Sequence, residues 1–548
     1  MTPKTDLPRH GGAFLVYLLC TLVLIDHGVS ITNNISGQGS DTLDSTWFLA
    51  WWPWAISHHI DPFFTRLQWY PVGVPLAWVT SVPLLAVLGW PVTSLAGPVV
   101  TYNLLIILAP LLASWCAYLL CYRLTADLVA SLIGGFLFGF SSYEMGQTAG
   151  ALNLSFICAL PLIVYVILAR HDGQIGRPAT SMLLGGLLIA QFLICIEIAA
   201  FIVIFGALSW VVAMIMLPTH RHSLQRLIAD SIIAGLIVLA VVWPFLLSMW
   251  RHARLIHHPD FWPFYFTADL ANIVIPTRRN LWGAMMPSLS HNFGFSLDEQ
   301  DAYIGLPLLY IIWRFARDHA ALDQRRYLRV IFLILLVASL GPRPWLNGHY
   351  LPVFLPWMLM VHVPVLSNAL PTRFALFISL VTAIIAALWI AAGRQRMWRV
   401  ALGCLACLSI MPDPHPWTKI PSSSFFAPNE VTKILGPNPR LLILPFALNG
   451  PSSFWQQESR FSFTETGGYL GFPPRPVQNF PVVFEMFGNA PGPDFIPELT
   501  AYCQHTQTQY VVAGPGTSPA FLADLARTSW AHRAIDDVIL YKVPNARR

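Results

Sequence analysis

Two carboxylates open the chemical reading of this chain. Asp41 and Asp44 stand three residues apart in the stretch GSDTLDSTWFLAWWPWAISHHIDPFFTRLQWYPVG, so on a helical turn both share one face. They lie shortly beyond an apolar run, where a carboxylate could take a proton from a hydroxyl while a lipid-borne substrate is held nearby. Asp44 followed by Ser45 also has the form of a helix start, with either residue as N-cap. Trp47, Phe48, Trp51, Trp52 and Trp54 suit a helix lying in a membrane interface, as an aromatic belt. The capping and the chemical readings both stand at this level.

Glu197 is the other informative acid. It falls between the apolar runs 180–196 and 198–216, where a charge at mid-membrane would be costly. Two short spans with a tight turn would instead place it at the outer surface, and a bent helix pair would let it bond Gln191 or a partner helix. Asp298, Glu299 and Asp301 form a further acidic group, which could equally be a solvated helix start. His58–His59 and His257–His258 could join Asp41 and Asp44 around a cation. A hard divalent ion such as Mg²⁺ or Mn²⁺ would prefer the carboxylates.

The elements that must position these groups are set by composition. The 548 residues are 55% hydrophobic and 11% charged, with mean hydropathy +0.57, less than half the usual charged share. Apolar runs of about 20 residues recur over the first three-quarters of the chain, which excludes a soluble enzyme, a disordered chain or a nucleic-acid binder. Candidate spans are 13–32, 98–121, 127–142, 153–169, 180–196, 198–216, 229–249, 303–315, 328–341, 371–391 and 398–411. Met1–Gly12 carries Lys4, Arg9 and His10 and has no small-residue cleavage site after it, so the first run reads as a retained span. Cys404 and Cys407 read as packing residues, and Cys503 is alone in the polar tail, which excludes a disulfide there.

Prolines interrupt 75–95 and 350–363, which suits re-entrant or interfacial segments rather than straight spans. If neither crosses, the arginines at 123, 170/177, 221/226, 314–329 and 394–399 all share the cytoplasmic side with the N-terminus. The expectation is a polytopic α-helical protein of about eleven spans, N-terminus inside. It places 33–74, 143–152, 250–302 and 342–370 together on the outer face. Residues 412–548 read as an extracytoplasmic α/β domain, with strands over 441–447, 509–513 and 538–543 and a helix over 519–528.

An outer first loop with paired acids and Trp-rich interfacial helices resembles the GT-C superfamily of membrane glycosyltransferases, similar to bacterial protein-mannosyltransferase-like membrane proteins. Pro71 and Gly73 ending the loop, the E-x-x-x-Y-x-G of Glu299, Tyr303 and Gly305, and the LPTRF of residues 370–374 fit the same resemblance. It covers most of residues 1–411. It implies a sugar carried on a polyprenyl phosphate, transferred with inversion to an extracytoplasmic glycan, lipid or protein at the bacterial inner membrane. The family's acidic pair falls on Asp41 and Asp44. Where a later outer loop often carries His, this chain has Gln147 and Asn153 after Glu144, a departure that leaves a second base open.

Inverting transfer needs a carboxylate to deprotonate the acceptor and cations for the departing phosphate. Arg373 suits the phosphate by bidentate recognition. Arg251, Arg254, Arg278 and Arg279 run against the positive-inside trend in an outer loop and are further candidates. Rival readings are a flippase or transporter for a lipid-linked saccharide, and a non-catalytic component of envelope polysaccharide assembly.

Overall fold

The computed structural model describes residues 7–256, 262–294, 299–318, 323–362, 369–392, 395–471 and 473–544. Two compact units partition the chain. One holds Met1–Val29, Leu104–Val241 and Pro259–Pro416; the other holds Ser30–Asn103, Val242–His258 and Trp417–Arg548.

Six helices among the described residues are long and apolar enough to cross a membrane: Pro8–Asp26, Pro98–Thr125, Leu152–His171, Ile196–Met216, Pro218–Leu255 and Pro371–Ala391. A seventh follows if Leu128–Gly139 and Ser142–Thr148, bent by 45° at a short break, form one span. Pro83–Ala96 is a 14-residue apolar helix, about 21 Å long at the usual rise and short of a typical hydrocarbon core of about 30 Å. From Leu351 to His362 the only helical piece is the turn Pro356–Leu359.

In the first unit the helix Ala375–Ala391 is apolar all round and almost wholly buried, as such a helix must be. It packs against Leu128–Gly139, where a Cβ at Gly134 would stand 3.3 Å from the Ala383 carbonyl oxygen and 3.3 Å from Ala387 Cβ. The same helix lies close to Pro98–Thr125: a Cβ at Gly134 would stand 2.7 Å from Cys121 Sγ, and one at Gly135 2.6 Å from the Ser114 carbonyl oxygen. Small residues at such crossings let helices close where no hydrophobic drive exists between them. Ion pairs tie the polar ends together. The buried Asp230 accepts from Arg170 Nε at 2.6 Å and Arg177 Nε at 3.0 Å, joining a helical hairpin to the long helix that follows it. Helix Arg177–Phe192 ends at a break, and Ile196–Met216 begins with Glu197 in its first turn.

The second unit is built on helix Ser40–Ser57 and a five-stranded sheet. The helix begins at Ser40, after Gly39 at φ +89°, so neither Asp44 nor Ser45 is its N-cap. The hydroxyls that suggested a cap lie inside it: Ser45 Oγ donates to the Asp41 carbonyl at 2.8 Å. Its tryptophans do not form an exposed belt either. Trp47, Trp51 and Trp52 are buried, and their indole N–H groups bond Gln456 Oε1, Pro62 O and Ser81 O at 2.9, 3.0 and 2.9 Å.

The sheet strands are β1 (Arg440–Leu444), β2 (Thr464–Glu465), β3 (Tyr510–Ala513), β4 (His532–Ile535) and β5 (Val538–Lys542), in the order β4-β5-β3-β1-β2. β1 is parallel to β2 and β3, and β5 is antiparallel to β3 and β4. β1 ends before residue 447 because Pro445 brings no N–H to the ladder. The edge strands β2 and β4 carry no apolar run and gave no sequence signal. Leu441, Ile443, Val512, Val538 and Leu540 of the sheet pack on Phe425, Phe426, Phe454, Trp455 and Phe463.

Candidate functional site

Functional groups gather at one place in each unit. In the first, the turn Pro371–Phe374 leads into the central helix and carries Arg373. Its Nη1 bonds Glu197 Oε2, and its Nη2 bonds Glu299 Oε1 at 2.9 Å. The backbone locks both acids: Leu370 N–H donates to Glu197 Oε1 at 3.2 Å, and Thr372 Oγ1 donates to the Glu299 carbonyl at 2.6 Å. Three residues far apart in sequence thus form one cluster, with two formal negative charges against one positive. Arg373 Nε and Glu299 Oε2 have no hydrogen-bond partner among the described residues.

The other candidates of this unit stand around it in different settings. Asn153 Nδ2 lies 3.7 Å from Cys195 Sγ, two residues before Glu197. Gln147 Nε2 donates to Asp301 Oδ2 at 2.7 Å. Asp301 and Tyr303 line a cavity of about 20 Å³ with Ser141, Ser142, Ser379 and Thr382, room for about one water. Arg278 is exposed. Arg279 lines a second small cavity with Asp413 and His415, and burial, helped by Arg279 and His27, holds the His415 imidazole down to about 3. Glu144 is fully buried with neither oxygen partnered among the described residues.

In the second unit Asp41 and Asp44 lie one turn apart on the helix. Asp41 is exposed and Asp44 is 6% exposed. Asp44 Oδ1 accepts from Ser453 Oγ at 2.7 Å. Burial, the Asp41 charge and Glu465 push the Asp44 carboxyl well above the usual range, and only the Ser453 hydroxyl opposes them. A carboxyl so placed holds a proton more tightly than an exposed aspartate does. Tyr469 is held neutral by burial and by both aspartates.

Glu465 was not legible as a site residue. It lies on β2, is 0% exposed, and burial pushes it up to about 8. Its segment, TETGG, differs from other tail sequence only in the glycine pair that follows it. Ser453, Gln456 and Gln68 were missed as well, because single uncharged polar residues in polar loop or tail sequence carry no pattern.

The histidine pairs divide. His58 is exposed, stacked on Trp54, with Nδ1 2.8 Å from the Trp54 carbonyl; His257, His258 and Asp298 lie outside the described residues. Among the described residues no three His, Cys, Asp or Glu groups converge as an ion would need.

A family model described as a domain of unknown function, DUF6311, matches residues 13–411. The chain belongs to this family. No curated protein matches it. Among solved structures, two cryo-EM structures of the arabinofuranosyltransferase AftD from Mycobacteria, one of them a mutant, align over 97% of this chain at 13% identity, with TM-scores of 0.58 and 0.53. An oligosaccharyltransferase from Archaeoglobus fulgidus aligns over 93% of this chain and 70% of its own length, at 13% identity and TM-score 0.48. This chain spans only 41% and 40% of the two AftD chains. At such identity the likeness is one of fold: this DUF6311 member has a fold similar to that of the arabinofuranosyltransferase AftD.

Proposed function

We propose that the protein is a glycosyltransferase of the bacterial inner membrane, moving a sugar from a polyprenyl-phosphate donor to an extracytoplasmic glycan, lipid or protein. The likeness to AftD over 97% of the chain carries this reading. In it, about eleven spans run from a cytoplasmic N-terminus to an extracytoplasmic α/β domain over 412–548.

Asp44 takes the proton from the acceptor hydroxyl as its oxygen bonds the anomeric carbon, and the bond to the polyprenyl phosphate breaks on the opposite side, inverting the centre. Asp41, exposed on the same helix face, raises the proton affinity of Asp44. Arg373 meets the departing phosphate, and Tyr303, Asn153, Arg278 and Arg279 contact the substrates. Glu197 and Glu299 already occupy two nitrogens of the guanidinium, so the phosphate meets the open Nε or displaces a carboxylate.

The decisive experiment replaces Asp44 by Asn and follows sugar transfer in membranes that contain normal amounts of the protein. Transfer should fall by about 10²- to 10⁴-fold, the range for losing a general base. Undiminished transfer removes Asp44 from the mechanism.

A further inference from the structure

Behind the Asp44 helix lies a chain of side chains whose orientation is forced by donor chemistry. Trp47 Nε1 can only donate, and it donates to Gln456 Oε1 at 2.9 Å. The amide nitrogen of Gln456 therefore faces the Leu67 and Phe463 carbonyls, at 2.7 and 3.2 Å. Gln68 can meet the same Gln456 oxygen only with its own nitrogen, at 3.3 Å. Its oxygen must then face away, and that oxygen, completely buried, has no hydrogen-bond partner among the described residues.

Glu465 lies close by, beside Gly468. The backbones hold the two segments in register: Glu465 N–H donates to the Leu67 carbonyl at 2.7 Å, Tyr70 N–H to the Glu465 carbonyl at 3.1 Å, and Trp69 N–H to the Gly467 carbonyl at 2.9 Å. Both side chains crowd Gly468, at φ +109°. A Cβ there would stand 2.6 Å from Gln68 Oε1 and 3.3 Å from Glu465 Cδ. Neither Glu465 oxygen makes a hydrogen bond among the described residues. The Ser452 hydroxyl is close enough to favour its charged form but does not close one. Buried acceptors left without a donor cost free energy.

We propose that Glu465 is a positioning acid: carried un-ionised, it donates its proton to Gln68 Oε1 and so fixes, through Gln68, Gln456 and Trp47, the setting of the helix that bears Asp44. The groups facing it agree. Asp44 on that helix and Tyr502 on Phe495–His505 sense a charge on Glu465 as like-charge repulsion, and no ion pair reaches it among the described residues. With Glu465 neutral, Asp44 is spared the like-charge repulsion that an ionised Glu465 would add. The bearing of this on catalysis rests on the reading of Asp44 as base; the protonation itself does not.

The test compares the purified full chain in lipid nanodiscs with its Glu465→Gln variant, because Gln keeps a donor but cannot ionise. The folded-state value near 8 lies above the unfolded carboxyl range, so the stability Glu465 contributes as an acid is complete below about pH 4.5 and is lost as pH rises through about 8. The unfolding temperature of the wild type should therefore fall relative to the variant between about pH 5 and 8, then run parallel. The infrared carbonyl band of an un-ionised acid, present in the wild type and fading near pH 8, should be missing from the variant. Gln68→Met gives a second arm: the acid band remains but moves toward that of a free carboxyl. A constant gap in unfolding temperature at every pH, no acid band lost in Glu465→Gln, or an unmoved band in Gln68→Met would each overturn the proposal. None of these measures sugar transfer, so they fail or succeed independently of the Asp44→Asn experiment.

Discussion

The two units solve the burial of acids in opposite ways. In the first, several carboxylates are met by guanidinium groups: Glu197 and Glu299 by Arg373, Asp230 by Arg170 and Arg177, Asp318 by Arg314 and Arg399, though Glu144 is buried there with neither oxygen partnered among the described residues. In the second, Asp44 and Glu465 have no ion pair among the described residues; Asp44 accepts from the Ser453 hydroxyl, and neither Glu465 oxygen is hydrogen-bonded among them. A paired acid keeps its charge; an unpaired buried acid gives it up as its affinity for a proton rises. The first unit therefore gathers ion-paired acids, and the second gathers buried acids without an ion pair among the described residues.

The contrast breaks most readily at Arg373. Arg373→Ala strands two acids whose side chains are 26% and 13% exposed, and stability should fall by about 3–5 kcal/mol, read from denaturant unfolding in micelles. Adding Glu197→Gln and Glu299→Gln should recover most of that loss. A single variant as stable as wild type would show that the cation does not neutralise these acids. Gly468→Ala is expected to cost less, about 1–3 kcal/mol, because it forces a left-handed backbone and a contact of 2.6 Å with Gln68 Oε1. It should also lower the pH dependence that Glu465 gives to the unfolding temperature. The smallest effect belongs to the exposed pair Lys433–Glu430, 2.5 Å apart. Lys433→Ala should change stability by no more than about 0.5 kcal/mol, confirming by thermal melting that pairing matters where water is excluded.

Much of the first unit can be read from residue order. Apolar runs mark the long helices, because a stretch without charges has no alternative to burial in lipid or protein. Glu197 is conspicuous in sequence for the same reason, as an acid inside an apolar stretch. The tail is less transparent. Leu441, Val512 and Leu540 mark the inner strands through their apolar runs, but β2 and β4 owe their place to pairing with neighbours rather than to their own residues. The tryptophans of Ser40–Ser57 misled in the opposite direction. Their composition fits a lipid interface, yet each buried indole N–H finds an acceptor outside its own helix, in Trp47's case one 409 residues away.

The sequence alone determined a membrane-embedded helical chain with an acidic first loop and a polar α/β tail, since those follow from hydropathy and short-range spacing. Only the tertiary structure decided that Arg373 is shared by Glu197 and Glu299, and that Glu465 and Ser453 stand beside Asp44. Those neighbours are separated by 74 to 421 positions, and no local pattern records a contact that chain folding alone creates.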